Sequence, residues 1–366
     1  MIDFFHTYIS PDAAERIAGL LATTFISERK LVSEFEMQLA SQLDILNPIA
    51  LNSGTAALHL AIILSGVKQG DEVILPPQTF IASGLAIKHA GAIPVFSDIQ
   101  YETGNIDPIS MRNKISHNTK AIMVVHWAGY PCDMTEILQI ASEFKIPVIE
   151  DAAHALGATY RGTPIGALSP FTCFSFQAIK HVTTGDGGAI AFMDKDDADK
   201  ARKLRWFGID RARSQMSYLG ERIYNADEIG FKYHMNDYAA ALGLSNLNGF
   251  SARLDRLRKM NALYRRGLEG VDGLKLFRQD ADRESACWLF GVHVERREEF
   301  VRKMKERAIP VSVVHQRIDR NDIFGGKRAD LVMQEKFDST QIHLPINSGM
   351  TEEQIEYVIN EIRTGW

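Results

Sequence analysis

Four separated places in the chain carry residue types suited to chemistry. The first is "CFSFQAIKHVTTGDGGAIAF", Cys173 to Phe192, where an apolar run opens onto Lys180 and a Gly-rich turn follows. A lysine at a turn is ordinarily a solvated side chain. This one follows residues that should be buried, and a partly desolvated amine has a lowered pKa and can attack a carbonyl to form a Schiff base. The second is "NSGTAA", Asn52 to Ala57, a helix start with hydroxyls and unpaired N–H groups. It reads either as a plain N-cap or as an anion cradle. The third is Asp151, beside Glu150 at the end of an apolar run and three residues before His154. Adjacent acids on a strand face opposite ways, so only one can point into a shared site. The fourth is Phe80 after "PPQT", a core residue or a ring platform.

An amine, an anion cradle, an acid and a stacking ring together describe the holds that pyridoxal phosphate needs. The amine would take the aldehyde and the cradle the phosphate, while the acid keeps the pyridine nitrogen protonated so that the ring accepts electrons. Other chemistries find less support. GxxxxGK[ST] and GxGxxG are both absent, which weighs against a nucleotide triphosphatase or a Rossmann dehydrogenase. There is no HExxH, and the histidines lack ligand spacing, so no metal is expected.

These residues need elements to position them. "SGTAALHLAIILSGV" reads as a helix capped by Ser53. "DEVILPP", "GAIPVFSDI", "KAIMVVHWAG" and "IPVIEDAAHA" read as strands, with helices in "FIASGLAIKHAG" and "DMTEILQIASEFK". Ile122 to Val125 is apolar without alternation, as in a sheet covered on both faces. The pattern implies a mostly parallel α/β domain, with His126, Asp151, His154 and Lys180 at the strand ends, where ligands sit in such sheets. Further on, "DADKARKLRWFG" and a long segment from Asn236, bending near Gly249, read as helices. In a smaller unit, "ACWLFGVHV" and "IPVSVVH" read as strands and "RREEFVRKMKERA" as a helix. "MTEEQIEYVINEIR" closes it as a helix capped by Thr351 and the acids of its first turn. The expected domains are 1–255, with residues 1–25 as a lead-in, and 256–366.

The 366 residues suit two domains. A net charge of -5 argues against a nucleic-acid surface. Three scattered cysteines give no disulfide framework and favour a reducing compartment. With no signal-peptide pattern and no run of ~20 apolar residues, a cytoplasmic protein without a membrane partner is expected.

From about residue 25 onward the chain resembles the DegT/DnrJ/EryC1/StrS family, pyridoxal-phosphate-dependent aminotransferases of nucleotide-linked sugars. "LVSEFEMQLA" is similar to the family's opening motif and "IHLPINSGMTEEQI" to its closing one. "LNSGTAALHLAI" resembles the phosphate-binding turn, which implies Gly54 and Thr55 as phosphate contacts, and "PPQTFIAS" implies Phe80 as the stacking ring. "VIEDAAHALGATYRG" implies Asp151 at the pyridine nitrogen with His154 beside the ring. "FSFQAIKHVTTGDGGAI" implies Lys180 as the Schiff-base lysine, Ser175 as a phosphate ligand and Gln177 as a pocket residue. "GFKYHMNDYAAALGL" resembles a segment that reaches the partner subunit's site; Lys232 stands where members often have Asn, and could bind phosphate across the dimer. "VSVVHQRIDRNDIF" lies in a substrate-binding region and offers His315 and Arg317, although its wording departs from the family's commoner form.

The resemblance implies a fold type I enzyme with a mostly parallel seven-stranded sheet, a smaller α/β C-terminal domain and a homodimer with shared sites. It implies amine transfer from glutamate to a 3-keto or 4-keto nucleotide-linked deoxysugar. One branch of the family has His in place of the lysine and dehydrates sugars, so Lys180 points to amine transfer. Dehydration of a nucleotide sugar, amine transfer to a non-sugar carbonyl and a non-catalytic, cofactor-binding regulatory role are the alternatives. The sugar, the nucleotide, the aminated carbon and the pathway are not encoded in recognisable motifs.

Overall fold

The computed structural model describes residues 2–211 and 213–366. Seven strands form its central sheet, in the order Ile49–Leu51, Gly188–Phe192, Phe171–Ser175, Val148–Asp151, Thr119–Val125, Glu72–Leu75 and Ile93–Phe96. All neighbours are parallel except Gly188–Phe192, which is antiparallel to both of its own. The apolar run at 121–125 explains why the sheet is covered twice. Ile122 and Val124 enter a core with Phe35, Leu39, Ile137 and Leu244, while Ala121 and Met123 enter another with Leu60, Ala61, Ala86 and Ala201. Both faces of one strand are thus apolar because helices pack on both.

Gly54–Leu64 and Ile81–His89 are two of those helices, and each starts directly after a strand's carboxyl end. All parallel strands therefore deliver their last residues to one edge, which places the polar residues following them close together.

A second core joins the helices Phe250–Leu268, Arg297–Glu306 and Glu352–Arg363 to a three-stranded antiparallel sheet of Leu274–Leu276, Phe290–Val294 and Gln341–Leu344. Residue 255 lies inside the continuous helix Phe250–Leu268. Phe250 and Leu254 pack into the large core, whereas Leu257, Met260 and Tyr264 pack into the small one. The break expected near Gly249 is present, with φ +66° at that glycine between two helices. Thr351 caps the last helix through a capping box with Gln354, and the acids of the first turn, Glu352 and Glu353, stand beside it, Glu353 bonded to the Thr351 side chain.

"IPVSVVH" is not a strand. Only Ser312 bridges to His343, and the next backbone groups find partners elsewhere. The Val314 N–H donates to His343 Nδ1, the His315 carbonyl accepts from Gln78 Nε2, and the Ile318 N–H donates to the Pro77 carbonyl. The segment then crosses back to the central sheet's helices, where Ile318, Phe324 and Leu331 join the core under the helix Ile81–His89. Among the described residues no helix is long and apolar enough to cross a membrane.

Candidate active site

The strand ends surround a cavity of about 310 Å³. Asp151, the last residue of Val148–Asp151, lines it, while Glu150 faces the opposite side of the sheet. There Glu150 accepts from His126 Nε2 at 2.7 Å and Thr172 Oγ1 at 2.9 Å. Because His126 Nδ1 accepts the Cys132 N–H, the ring proton sits on Nε2. His126, at a strand end, is therefore a core residue outside the cavity. Asp151 is held by the Ser83 hydroxyl at 2.7 Å and the Ala153 N–H at 3.1 Å. Thr79 donates in turn to Ser83 at 2.6 Å, which orients its hydroxyl toward the carboxylate. Burial raises the Asp151 pKa, opposed by the Ser83 bond and then by the Ala153 N–H.

The opposite wall is a cradle. Ser53 caps the helix Gly54–Leu64 by accepting the Ala56 N–H at 3.0 Å, and Gly54 and Thr55 begin the first turn. N–H groups of a first turn have no partner within the helix and favour an anion. The backbone here is packed to the limit. A Cβ on Gly188 would sit 2.5 Å from the Ser53 carbonyl, and one on Gly54 would sit 3.0 Å from Ser175 Cβ. Ser175, the last residue of its strand, faces the cavity beside this turn, and Gln177 lines the wall beyond it.

Lys180 enters from the loop after that strand, half-buried, with its nitrogen 3.8 Å from the centroid of the Trp288 ring. Burial lowers its pKa to about 7, and the Asp151 charge pulls the other way. His154 lies stacked on Trp288 at 3.7 Å, and its Nδ1 has no hydrogen-bond partner among the described residues. Burial, followed by the Lys180 charge, holds His154 well below the usual histidine range. At the mouth Phe80, 52% exposed, meets the His315 ring at 5.0 Å. His315 is pushed down to about 4 by burial and then by Lys180, so its ring is neutral near pH 7.

The model of the DegT/DnrJ/EryC1/StrS aminotransferase family matches residues 8–363. The chain belongs to this family. A GDP-perosamine synthase of Escherichia coli O157:H7 is 31% identical, over 95% of this chain and 94% of that protein. The crystal structure of sugar aminotransferase CalS13 from Micromonospora echinospora superposes with a TM-score of 0.95 at 33% identity and covers all of both chains. A sugar aminotransferase of Streptococcus pneumoniae described as putative, Spr1654 in its PLP-form, gives a TM-score of 0.90 at 26% identity, over 99% of this chain and 98% of that one. The protein is thus an aminotransferase with the fold of the sugar aminotransferases.

Within this aminotransferase the structure brings Gly54, Thr55, Phe80, Asp151, His154, Ser175, Gln177, Lys180 and His315 to one cavity. Two expected residues lie elsewhere. Arg317 is fully buried and held by Asp319 at 2.6 and 2.7 Å and by Glu335 at 2.7 Å, so its guanidinium braces the 317–335 segment and does not line the cavity. Lys232 lies over the Trp206 ring at 3.6 Å, outside the cavity of its own chain. Two residues went unrecognised in the sequence. Ser83 had a signal, since it lies one helical turn beyond Thr79 and Phe80 in "TFIAS". Trp288 had none, because "ACWLFGVHV" reads as an ordinary apolar strand.

Proposed function

We propose that the protein moves an amino group from glutamate, by way of pyridoxal phosphate, to a 3-keto or 4-keto nucleotide-linked deoxysugar. The observation that carries this is the convergence of Lys180, Asp151 and the Gly54 turn on one cavity. The residues fit the cofactor. An anion cradle packed too tightly for a side chain, a buried carboxylate and a lysine of lowered pKa line the same cavity. Gly54, Thr55 and Ser175 would hold the phosphate, Asp151 the ring nitrogen, and Phe80 and His154 the ring faces. When bound, pyridoxal phosphate supplies an aldehyde that captures amines and a ring that accepts the electron pair freed at the neighbouring carbon.

The chain's own residues do the rest. With a pKa of about 7, Lys180 Nζ exchanges a proton readily near neutral pH, as base on the donor and acid toward the acceptor. Asp151, fixed by Ser83 and the Ala153 N–H, keeps a positive charge on the group it faces. His315, neutral near pH 7, offers a hydrogen-bonding ring to a sugar hydroxyl, not a counter-ion to a phosphate. We read Lys232 as offered to the phosphate of a second copy, in a homodimer with shared sites. Support comes from its position outside its own cavity.

Lys180→Ala should abolish amine transfer while the cofactor still binds. Wild-type protein loaded with pyridoxal phosphate and given glutamate alone should shift its absorbance to the pyridoxamine form. A variant with near-normal transfer, or a wild type without that shift, would sink the reading. A screen of 3-keto and 4-keto nucleotide sugars then fixes the acceptor.

A further inference from the structure

Trp288 belongs to none of the motifs, yet three groups meet its ring. His154 stacks on it at 3.7 Å with 16° between planes, Phe5 stacks at 5.4 Å with 28°, and the Lys180 nitrogen lies 3.8 Å from its centroid. Its indole N–H donates to the carbonyl of Ile179, the residue before Lys180, at 3.1 Å. One side chain thus contacts both the tip of the lysine and the backbone that carries it. The stacking neighbours fix the ring in turn, and Phe5 comes from the amino-terminal segment, far from the site in sequence.

We propose that Trp288 is a positioning residue that docks the Lys180 amine whenever that amine is free. This rests on the reading of Lys180 given above as the Schiff-base lysine, which would give up its carbonyl partner in the half-reaction with the donor and regain it only at the end of the half-reaction with the acceptor. A freed lysine has many rotamers, and a ring face beneath its ammonium restricts them to those near the site. The groups facing the amine are Asp151, His154, His315 and His181. Burial disfavours charge on all three histidines, which leaves the Asp151 carboxylate and the Trp288 ring to favour the ammonium form against the burial of Lys180 itself.

The test uses the full-length protein stripped of cofactor, so that its outcome is separate from whether amine transfer occurs. Acetylation of Lys180 by acetic anhydride, read by peptide mass spectrometry against pH, gives the midpoint at which the amine becomes reactive. Removing the ring should lower that midpoint by up to about one pH unit in Trp288→Leu and in Trp288→Met. Trp288→Phe, which keeps a ring but loses the indole N–H, should stay near the wild-type midpoint. Near-ultraviolet circular dichroism identifies the folded variants, and two non-aromatic replacements guard against the loss of one. A folded Leu or Met variant with an unchanged or raised midpoint overturns the proposal, and so does a Phe variant that falls as far as they do.

Discussion

Burying an amine has a cost that can be read from the pH dependence of stability. Lys180 has a pKa near 7 in the folded protein and about 10.4 in an unfolded chain. Between these values the unfolded state binds more protons, so stability rises with pH across that window and is lowest below it. Methionine has similar length and no charge to desolvate. Cofactor-free Lys180→Met should therefore unfold about a few degrees higher than the wild type at pH 7. The gap should close as pH rises toward the unfolded lysine value. Thermal unfolding of both proteins over a pH series measures it; parallel curves would mean that the amine is not desolvated. The same residue would then be destabilising to the fold and required for the reaction, a trade common at sites that need a perturbed group.

At the scale of elements, the site depends on a strand and a helix start brought into backbone contact. In Gly188→Ala the added methyl would meet backbone atoms of Ser53 and Gly54 at 2.5 to 2.6 Å, and no side chain can swing away to relieve it. The strand and the helix start must separate, at a cost of about 1–3 kcal/mol. Affinity for pyridoxal phosphate should fall with it, because the cradle is the part that moves. Gly19→Ala is the control. Its helix, Ala13–Ala22, has nothing within 4 Å of the new Cβ, so helix propensity should add up to about 1 kcal/mol. Denaturant unfolding and cofactor titration of both variants check the pair. The same elements explain what was legible in the sequence. The strands with unbroken apolar runs and the helix capped by Ser53 announce themselves through local pattern, and alternation alone puts Asp151 and Glu150 on opposite faces. "IPVSVVH" was misread as a strand because distant side chains satisfy its backbone, Gln78 and His343 among them. The placement of Arg317 outside the cavity was hidden for a related reason. Its partners Asp319 and Glu335 were visible in the sequence, but nothing local showed that they enclose it. Trp288 acquires its place only through contacts with Phe5, His154 and Lys180, hundreds of residues apart at the extreme.

At the scale of the whole molecule, the amino-terminal residues tie the lysine loop to the carboxyl-terminal unit. The Asp3 carbonyl accepts from Asn347 Nδ2 at 2.8 Å, and Phe5 lies on Trp288. Asn246, fully buried in the helix Asp237–Leu247, spans the remaining gap. Its Oδ1 accepts the Ser10 N–H and its Nδ2 donates to the Thr183 carbonyl, both at 2.8 Å, three residues beyond Lys180. Asn246→Leu keeps the volume but leaves a buried donor and a buried acceptor unpaired, which should cost about 2–5 kcal/mol. The loss should also be local, since Asn246 fastens the amino-terminal strap, residues 3–10, to the loop. Hydrogen exchange read by mass spectrometry should quicken in peptides around Ser10 and in the 179–184 loop, in cofactor-free protein, before the central strands respond. Uniform acceleration across the sheet would instead mean that Asn246 supports the large core and that the strap is held by Phe5 and Asp3 without it.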